Sequence, residues 1–561
     1  MNKSWLLPQE VPSDVQEALA TFGLIERQIL FRRGITTSYS AESFLAGEVL
    51  DDDDPFILHG MDAAVERVLK AIREGEQIVV YGDYDADGVT ATALLVEHIH
   101  KLGGVVQHYI PNRFDEGYGL NHEALTGIQD RGAGLVITVD CGIRAIQEVE
   151  YAVGLGLDMI VTDHHHPGQS LPPALAVLNP KQSDSAYPFA GLSGVGLAYK
   201  LAQGLNRRLG IADSAESLDL VAIGTVADLA PLEHENRYLV RAGLRQISQG
   251  TRVGLRVMAN IAGFQLDRLN TTTIGFGIGP RLNAAGRLDT AENAYHLLIE
   301  NDEDEAKRLA DLLEASNRER QQITHKTLEK VRNLGVGEEG IPDLIFVVDP
   351  EFNEGVVGLA ASRLTDEFYR PAVVAVLGDE VTRASGRSIP EFHITEALEA
   401  CSDLLDRFGG HSLAAGFSVA NENLDALETR LHQLAANRFS GMDLRPSLEI
   451  DAVVPFRILD WPLFEFIEQI EPCGEGNPVP VFAAASVQVI EKRAVGKNGQ
   501  HLKLSLRQEG KTFDAIAFRQ GDLKDKLPDL VDIAFRLERN DYWNYPTLEL
   551  NVIDIHPTGH L

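Results

Sequence analysis

The sequence predicts an α/β protein: two α/β domains joined by a long helix, with a small β-barrel at the C-terminal end. Three observations predict this. From His59 onward, short apolar runs alternate with amphipathic stretches, the pattern of repeated βα units around a mostly parallel sheet. Residues 302–334 are highly charged and contain no Gly or Pro, as one exposed helix would be. After Ile470 the chain breaks into short β-rich runs separated by turn signals such as Gly496-Lys497-Asn498-Gly499.

Each element has its own signal. Residues 1–55 read as a helical N-terminal extension that ends in the acidic run Asp51 to Asp54 and Pro55. Residues 56–300 read as an α/β core. Helices are expected at 61–73 and 89–102, and strands at 77–81, 105–110, 135–139 and 158–162; from Gly191 to about Leu298 the pattern is mainly helical. Residues 301–340 read as the connecting helix. Residues 341–444 form a second α/β unit, with strands at 344–348 and 372–376 and a helix at 355–368. Residues 445–561 hold about five strands, which favours an oligonucleotide-binding barrel.

Composition narrows the function. A length of 561 residues exceeds what one core supports and suggests several domains. Hydrophobic content of 44% and charged content of 24% are ordinary for a globular protein. No apolar run reaches the roughly 18 residues of a membrane span. The start, Met1-Asn2-Lys3-Ser4-Trp5, lacks a signal-peptide core, so a cytoplasmic location is expected. Cys141, Cys401 and Cys473 are too widely spaced for a thiolate metal site or a disulfide framework. The net charge of −33 taken alone argues against a nucleic-acid ligand. Its distribution matters more. Arg281, Arg287, Arg383 and Arg387 stand apart from the acidic runs, so a locally basic channel stays open.

The chemistry concentrates in four stretches. Asp83, Asp85 and Asp87 follow the apolar run Ile78-Val79-Val80 and precede Gly88 and a helix-like segment. Acidic side chains at a strand-to-helix turn sit where open α/β sheets bind ligands. Three carboxylates this close repel one another unless a cation lies between them. Asp140 follows Ile137-Thr138-Val139; Asp163-His164-His165-His166 follows Ile160-Val161-Thr162; and Asp228 ends the apolar run from Ile223. A lone Asp at such a place is commonly a helix cap. Together, carboxylates and imidazoles without a thiolate suit Mn²⁺ or Mg²⁺ better than structural zinc. No Gly-rich loop ends in Gly-Lys-Ser or Gly-Lys-Thr, which excludes a phosphate-loop motor.

These four stretches resemble the motifs of the DHH phosphoesterase superfamily. Ser385-Gly386-Arg387-Ser388 and Gly409-Gly410-His411 resemble its associated C-terminal domain. The segments from Gly279 to Arg287 and from Glu471 to Pro478 are similar to the branch that degrades single-stranded DNA. The resemblance implies a DHH core, a DHH-associated domain and a 5′→3′ exonuclease working in DNA repair and recombination by two-metal hydrolysis to mononucleotides. It implies Asp85, Asp87, Asp140, His164 and Asp228 as ligands of two Mn²⁺ or Mg²⁺ ions, with Asp140 bridging. Asp83 supports the first motif, with its own contact to metal left open. Asp163 fixes an imidazole tautomer, and His165 meets the scissile phosphate. Ser385, Arg387, Ser388, Gly409, Gly410 and His411 are expected to hold the strand. Arg281 or Arg287 is expected at the 5′ phosphate, helped by Arg113. Tyr109, Phe114 and Tyr118 in the core, and Phe513, Phe518, Tyr542, Trp543 and Tyr545 in the barrel, are candidates for base stacking. Single-stranded DNA is the expected partner, with single-strand-binding protein beside it, and a monomer is the expected state. The competing readings are a DHH phosphodiesterase of short oligoribonucleotides or cyclic dinucleotides, a family II pyrophosphatase, and a non-catalytic DNA-binding scaffold.

Overall fold

The structure is a computed structural model that describes residues 3–48, 53–113, 115–213, 215–288, 290–336, 340–541 and 545–561. It divides into two compact units, one of residues 1–283, 291–311 and 447–561, the other of residues 284–290 and 312–446.

In the first unit, β1 (Ser4–Leu6) and helices α1 (Ser13–Ala18), α2 (Leu24–Arg32) and α3 (Ser38–Ala46) precede the α/β core. The core begins with α4 (Met61–Glu74), whose buried Ala64, Val65, Val68 and Ala71 recur at helical spacing. It continues through β2 (Gln77–Gly82), α5 (Ala86–Lys101), β3 (Val105–Tyr109), α6 (His122–Asp130), β4 (Ala133–Val139), α7 (Ile146–Gly154), β5 (Asp158–Thr162) and β6 (Ala176–Leu178). The strands form one parallel sheet in the order β3-β2-β4-β5-β6. Val79, Tyr81, Val136, Met159 and Val161 pack on one face with Leu125 and Ile128 of α6 and Val149 and Ala152 of α7. Ile78, Val80, Leu135, Ile137 and Ile160 are equally buried. Burial on both faces is why these strands read as continuous apolar runs.

Helices α8 (Gly194–Leu209), α9 (Leu218–Ala227), α10 (His234–Ser248) and α11 (Val253–Ile261) follow. α12 (Thr271–Thr273) runs through a π-helical turn, Ile274–Ile278, into α13 (Gly279–Leu288). After α14 (Glu292–Ile299) comes α15 (Glu303–Gly335), the long helix expected from its charge.

The second unit carries β7 (Ile345–Asp349), α16 (Val357–Phe368), β8 (Ala372–Leu377), β9 (Val381–Arg387), α17 (Ile394–Glu399), β10 (Arg407–Gly410), β11 (Ala414–Ala420) and α18 (Leu424–Phe439). Its sheet runs β10-β11-β9-β8-β7, parallel only between β7 and β8. α16 covers one face through Ala360, Ala361 and Leu364, and α18 covers the other through Leu427, Leu431 and Ala435.

The C-terminal part returns to the first unit as β12 (Ser447–Glu449), β13 (Ala452–Val453), α19 (Trp461–Ile470), β14 (Phe482–Val495), β15 (His501–Gln508), β16 (Lys511–Ala517), β17 (Leu530–Asn540) and β18 (Thr547–Pro557). β17 pairs with both β18 and β14, so strands β14 to β18 close into a barrel. Val15, Ile29, Leu30 and Ala41 of α1–α3 belong to the same apolar core as Phe482 and Phe535 of the barrel. β1 also pairs with β12 in parallel. Residues 3–46 therefore share a core with the barrel, a packing partner that the reading of residues 1–55 as a small helical N-terminal extension did not name.

Candidate metal centre and nucleic-acid surfaces

The register of the parallel sheet assembles the site. Gly82 pairs with Val139, Val139 with Thr162, and Thr162 with Leu178. The next residue on each strand is Asp83, Asp140, Asp163 and Asn179, so these four line one sheet edge. Asp85 caps α5: its Oδ1 accepts from the backbone N–H groups of Asp87 at 2.9 Å and Gly88 at 3.1 Å. Asp87 lies in the first turn of α5 and accepts from Gly194 N at 2.7 Å and Val195 N at 2.8 Å, the start of α8. Asp228 follows the last residue of α9. Asp140 adopts a left-handed φ of 61°, unusual for a non-glycine residue and held by its backbone bond to Thr162 O.

Two glycines make the room. A Cβ on Gly194 would stand 2.6 Å from Asp140 Cβ. One on Gly224 would stand 2.8 Å from Asp87 Oδ1 and 2.3 Å from Thr90 Oγ1.

The imidazoles complete the cluster. His164 Nε2 lies 3.1 Å from Asp140 Oδ1, 3.6 Å from Asp228 Oδ2 and 4.0 Å from Asp87 Oδ2. His165 Nδ1 donates to Asp163 Oδ1 at 2.8 Å, and Asp163 also accepts from Ile143 N and His165 N. Ligand atoms of Asp87, His164 and Asp228 converge within 4.8 Å, as do those of Asp140, His164 and His165, and those of Asp83, Asp85 and Asp140. Asp83 Oδ1, Asp140 Oδ1 and His164 Nε2 are buried and find no hydrogen-bond partner among the described residues. Native proteins rarely leave such groups unsatisfied without an ion or a catalytic role.

The electrostatics agree with the geometry. Burial, then neighbouring carboxylates, push Asp83 and Asp140 well above the usual carboxylate range. The same causes raise Asp87 to about 7 and Asp228 to about 9. Burial and the adjacent His165 lower His164 to about 3, so its ring is neutral and able to ligate. Burial is the largest influence on Asp163 and His165 too and acts against their charged forms, yet their mutual hydrogen bond, the charge attraction and the backbone donors to Asp163 together outweigh it: Asp163 is lowered and His165 raised. Only a cation would let this many buried carboxylates ionise together.

Further residues support the cluster. Asn283 Oδ1 accepts from Ala86 N at 2.7 Å, fixing the start of α5 from α13. Asn179 Nδ2 donates to His165 O at 2.8 Å, and its Oδ1 accepts from Lys181 N at 2.7 Å. Lys181, its pKa lowered by burial, is close enough to act electrostatically on Asp228 and Asp163. Sequence reasoning missed Asn179, Lys181 and Asn283. The strand-end logic that found Asp163 would have found Asn179 had the three-residue strand before it been recognised. Arg113 stacks over the Tyr84 ring at 5.3 Å. Tyr118 donates to Asp140 O at 3.4 Å and leaves 57% of its surface exposed. Tyr109 instead packs against the core and on Tyr81.

In the second unit, Ser385 on β9 pairs with Gly416 on β11, which pairs with Gly409 on β10. β11 thus separates the two motifs but keeps them in register. Arg387 Nη1 donates to Ser385 Oγ at 2.9 Å and Gly386 O at 2.8 Å. Burial lowers its pKa, and among the described residues no carboxylate lies within ion-pair range of it. Arg383, by contrast, pairs with Glu354 at 3.0 Å. Gly409, Gly410 and His411 are exposed. Ser388 departs from its group: its hydroxyl is buried and donates to Phe392 O at 2.5 Å. Arg281 donates to Gly277 O at 2.7 Å in the first unit, and Arg287 to Gly355 O at 3.3 Å in the second.

In the barrel, Phe513 is core, edge-on to Phe456. Phe518 and Tyr545 are exposed. Phe114, Tyr542 and Trp543 lie outside the described residues.

Comparison with known proteins agrees with this architecture. The chain matches the DHH family N-terminal domain over residues 77–225, the DHHA1 domain over 342–437 and the RecJ OB domain over 450–554. It is 39% identical to a protein described as single-stranded-DNA-specific exonuclease RecJ from Bacillus subtilis, over 94% of this chain and 67% of the other. It is 35% identical to the protein of the same description from Dickeya dadantii, over 95% of this chain and 96% of the other. The crystal structure of RecJ from Thermus thermophilus in complex with Mn²⁺ matches with a TM-score of 0.86 at 32% identity, over 99% of this chain and 79% of that one.

Proposed function

This chain belongs to the RecJ family of single-stranded-DNA-specific exonucleases, and from that premise we propose that it hydrolyses single-stranded DNA from the 5′ end to mononucleotides. The observation that carries the proposal is the buried convergence of carboxylates with an imidazole, in which Asp83 Oδ1, Asp140 Oδ1 and His164 Nε2 have no hydrogen-bond partner among the described residues. The residues fit two divalent cations. Asp85, Asp87, Asp140, His164 and Asp228 would hold them, with Asp140 shared, as the resemblance to the DHH superfamily implies. A site of hard oxygens and one or two imidazoles suits Mn²⁺ or Mg²⁺, and RecJ of Thermus thermophilus has been crystallised with each. When bound, such a pair acidifies water and neutralises charge on the phosphate.

The remaining roles belong to the chain itself. Asp163 holds the Nδ1 proton of His165, so a phosphate oxygen would meet Nε2, which carries a proton once the ring is cationic. The raised pKa of His165 favours the cationic, donating form. Asp83 adds negative charge beside Asp140 and supports the turn. Arg387, without a carboxylate partner and steadied by Ser385, offers a guanidinium fork to the strand. Gly409, Gly410 and His411 offer exposed backbone and one donor beside it. Arg113, with Arg281 or Arg287, reads the terminal phosphate. Tyr118, Phe518 and Tyr545 offer exposed rings to bases. Among the described residues no helix is long and apolar enough to cross a membrane; we place the enzyme in the cytoplasm as a monomer acting with single-strand-binding protein.

The test is incubation with Mn²⁺ and single strands labelled at either end or closed into a circle. Mononucleotide release from the 5′ label and an intact circle support the proposal. Cutting of the circle at the linear rate refutes the end-reading part of it.

A further inference from the structure

A second convergence of metal-binding side chains lies away from the carboxylate cluster. On α14, Glu292 and His296 stand four residues apart and so share one helix face. On the edge strand β3, His108 meets them. His108 Nε2 lies 2.8 Å from Glu292 Oε2, and His296 Nε2 lies 3.4 Å from the same oxygen. Ligand atoms of all three lie within 4.8 Å of one another. We propose that His108, Glu292 and His296 form a third metal site of the protein, one that takes a borderline transition cation of the Zn²⁺ class.

The donor set decides the class of ion. Two imidazole nitrogens and one carboxylate oxygen suit Zn²⁺, which keeps a fourth position for water, and suit Mg²⁺ poorly. Tetrahedral ligands at about 2.0–2.1 Å from Zn²⁺ stand about 3.3 Å from one another. The contacts of 2.8 and 3.4 Å to Glu292 Oε2 are already close to that spacing. The rings are also held in place. His108 stacks on the buried Tyr295 with centroids 3.8 Å apart, and meets His296 edge-on at 5.5 Å. All three side chains are partly exposed, which leaves an entry path.

The site would tie the edge of the catalytic sheet to the helix that immediately precedes α15. β3 pairs with β2, whose end carries Asp83. A cation there would stiffen the sheet edge without touching the phosphate-cutting cluster.

The experiment titrates the full-length protein with Co²⁺, a spectroscopic stand-in for Zn²⁺, alongside H296A and E292Q. Wild type should develop the intense visible bands of a tetrahedral site, abolished by equimolar Zn²⁺. Each variant should lose most of that intensity and bind one Zn²⁺ fewer per chain by native mass spectrometry, while its Mn²⁺-dependent hydrolysis stays within about twofold of wild type. Equal zinc counts in wild type and both variants, or bands that survive both substitutions, would overturn the proposal.

Discussion

Gly224→Ala tests whether space beside Asp87 is what the centre requires. The new Cβ would stand 2.8 Å from Asp87 Oδ1, 2.7 Å from Val195 Cγ1 and 2.3 Å from Thr90 Oγ1. Carbon and oxygen in contact stand about 3.3–3.6 Å apart, so the Asp87 carboxylate must retreat by about 0.5–0.8 Å. Its bonds from Gly194 N and Val195 N restrain that retreat. Metal and catalytic constellations tolerate about 0.5 Å, and an error of about 1 Å can reduce rate about a hundredfold. We expect kcat/KM to fall about 10–100-fold and the Mn²⁺ concentration for half-maximal rate to rise. Stability should fall by about 0–2 kcal/mol. Overpacking costs about 1–3 kcal/mol, while Ala in place of Gly inside α9 returns close to 1 kcal/mol of helix propensity. Thermal unfolding checks the fold and a Mn²⁺ titration of single-strand hydrolysis checks the site. A folded variant with kcat/KM within twofold of wild type would refute the argument from crowding.

Three other outcomes are expected. Asp163→Asn removes the charge that holds His165 and should weaken metal affinity or activity about 10–100-fold, read by Mn²⁺ titration, with the apparent pKa of His165 falling by NMR because its anionic partner is gone. Arg387→Ala should reduce the magnitude of the salt slope of single-strand binding by about 0.7, one phosphate contact, with turnover at saturating DNA largely kept; an unchanged slope with lost turnover would assign Arg387 to the chemistry. Metal-free protein should lose stability as pH rises, because Asp87 and Asp228, raised to about 7 and about 9, favour the folded state only while protonated. That contribution is full below the unfolded carboxylate value of about 4 and disappears through the folded values. Added Mn²⁺ should therefore raise Tm more at pH 9 than at pH 6, since it binds the deprotonated form; a smaller Mn²⁺ shift at the higher pH would contradict the sign.

The sequence by itself determined the alternation of strands and helices, the long helix α15 and the acidic motifs. Asp83, Asp140 and Asp163 were legible because each directly follows an apolar strand run, and a strand end is a local property of the chain. Asp228 was legible for the same reason at a helix end. Tertiary structure decided what depends on distant partners. Gly194 and Gly224 carry no signal of their own; their role appears only when α8 and α9 press against Asp140 and Asp87. The insertion of β11 between β9 and β10 follows from pairing, not from pattern. The placement of α1–α3 in the barrel core depends on contacts such as Arg33 Nε to Asn477 Oδ1, which span most of the chain. His108 and Glu292 likewise meet only through the fold. Periodicity records which face of an element is apolar, but many surfaces can cover an apolar face. The choice among them is made by the summed packing of the whole chain, which no local stretch of sequence contains.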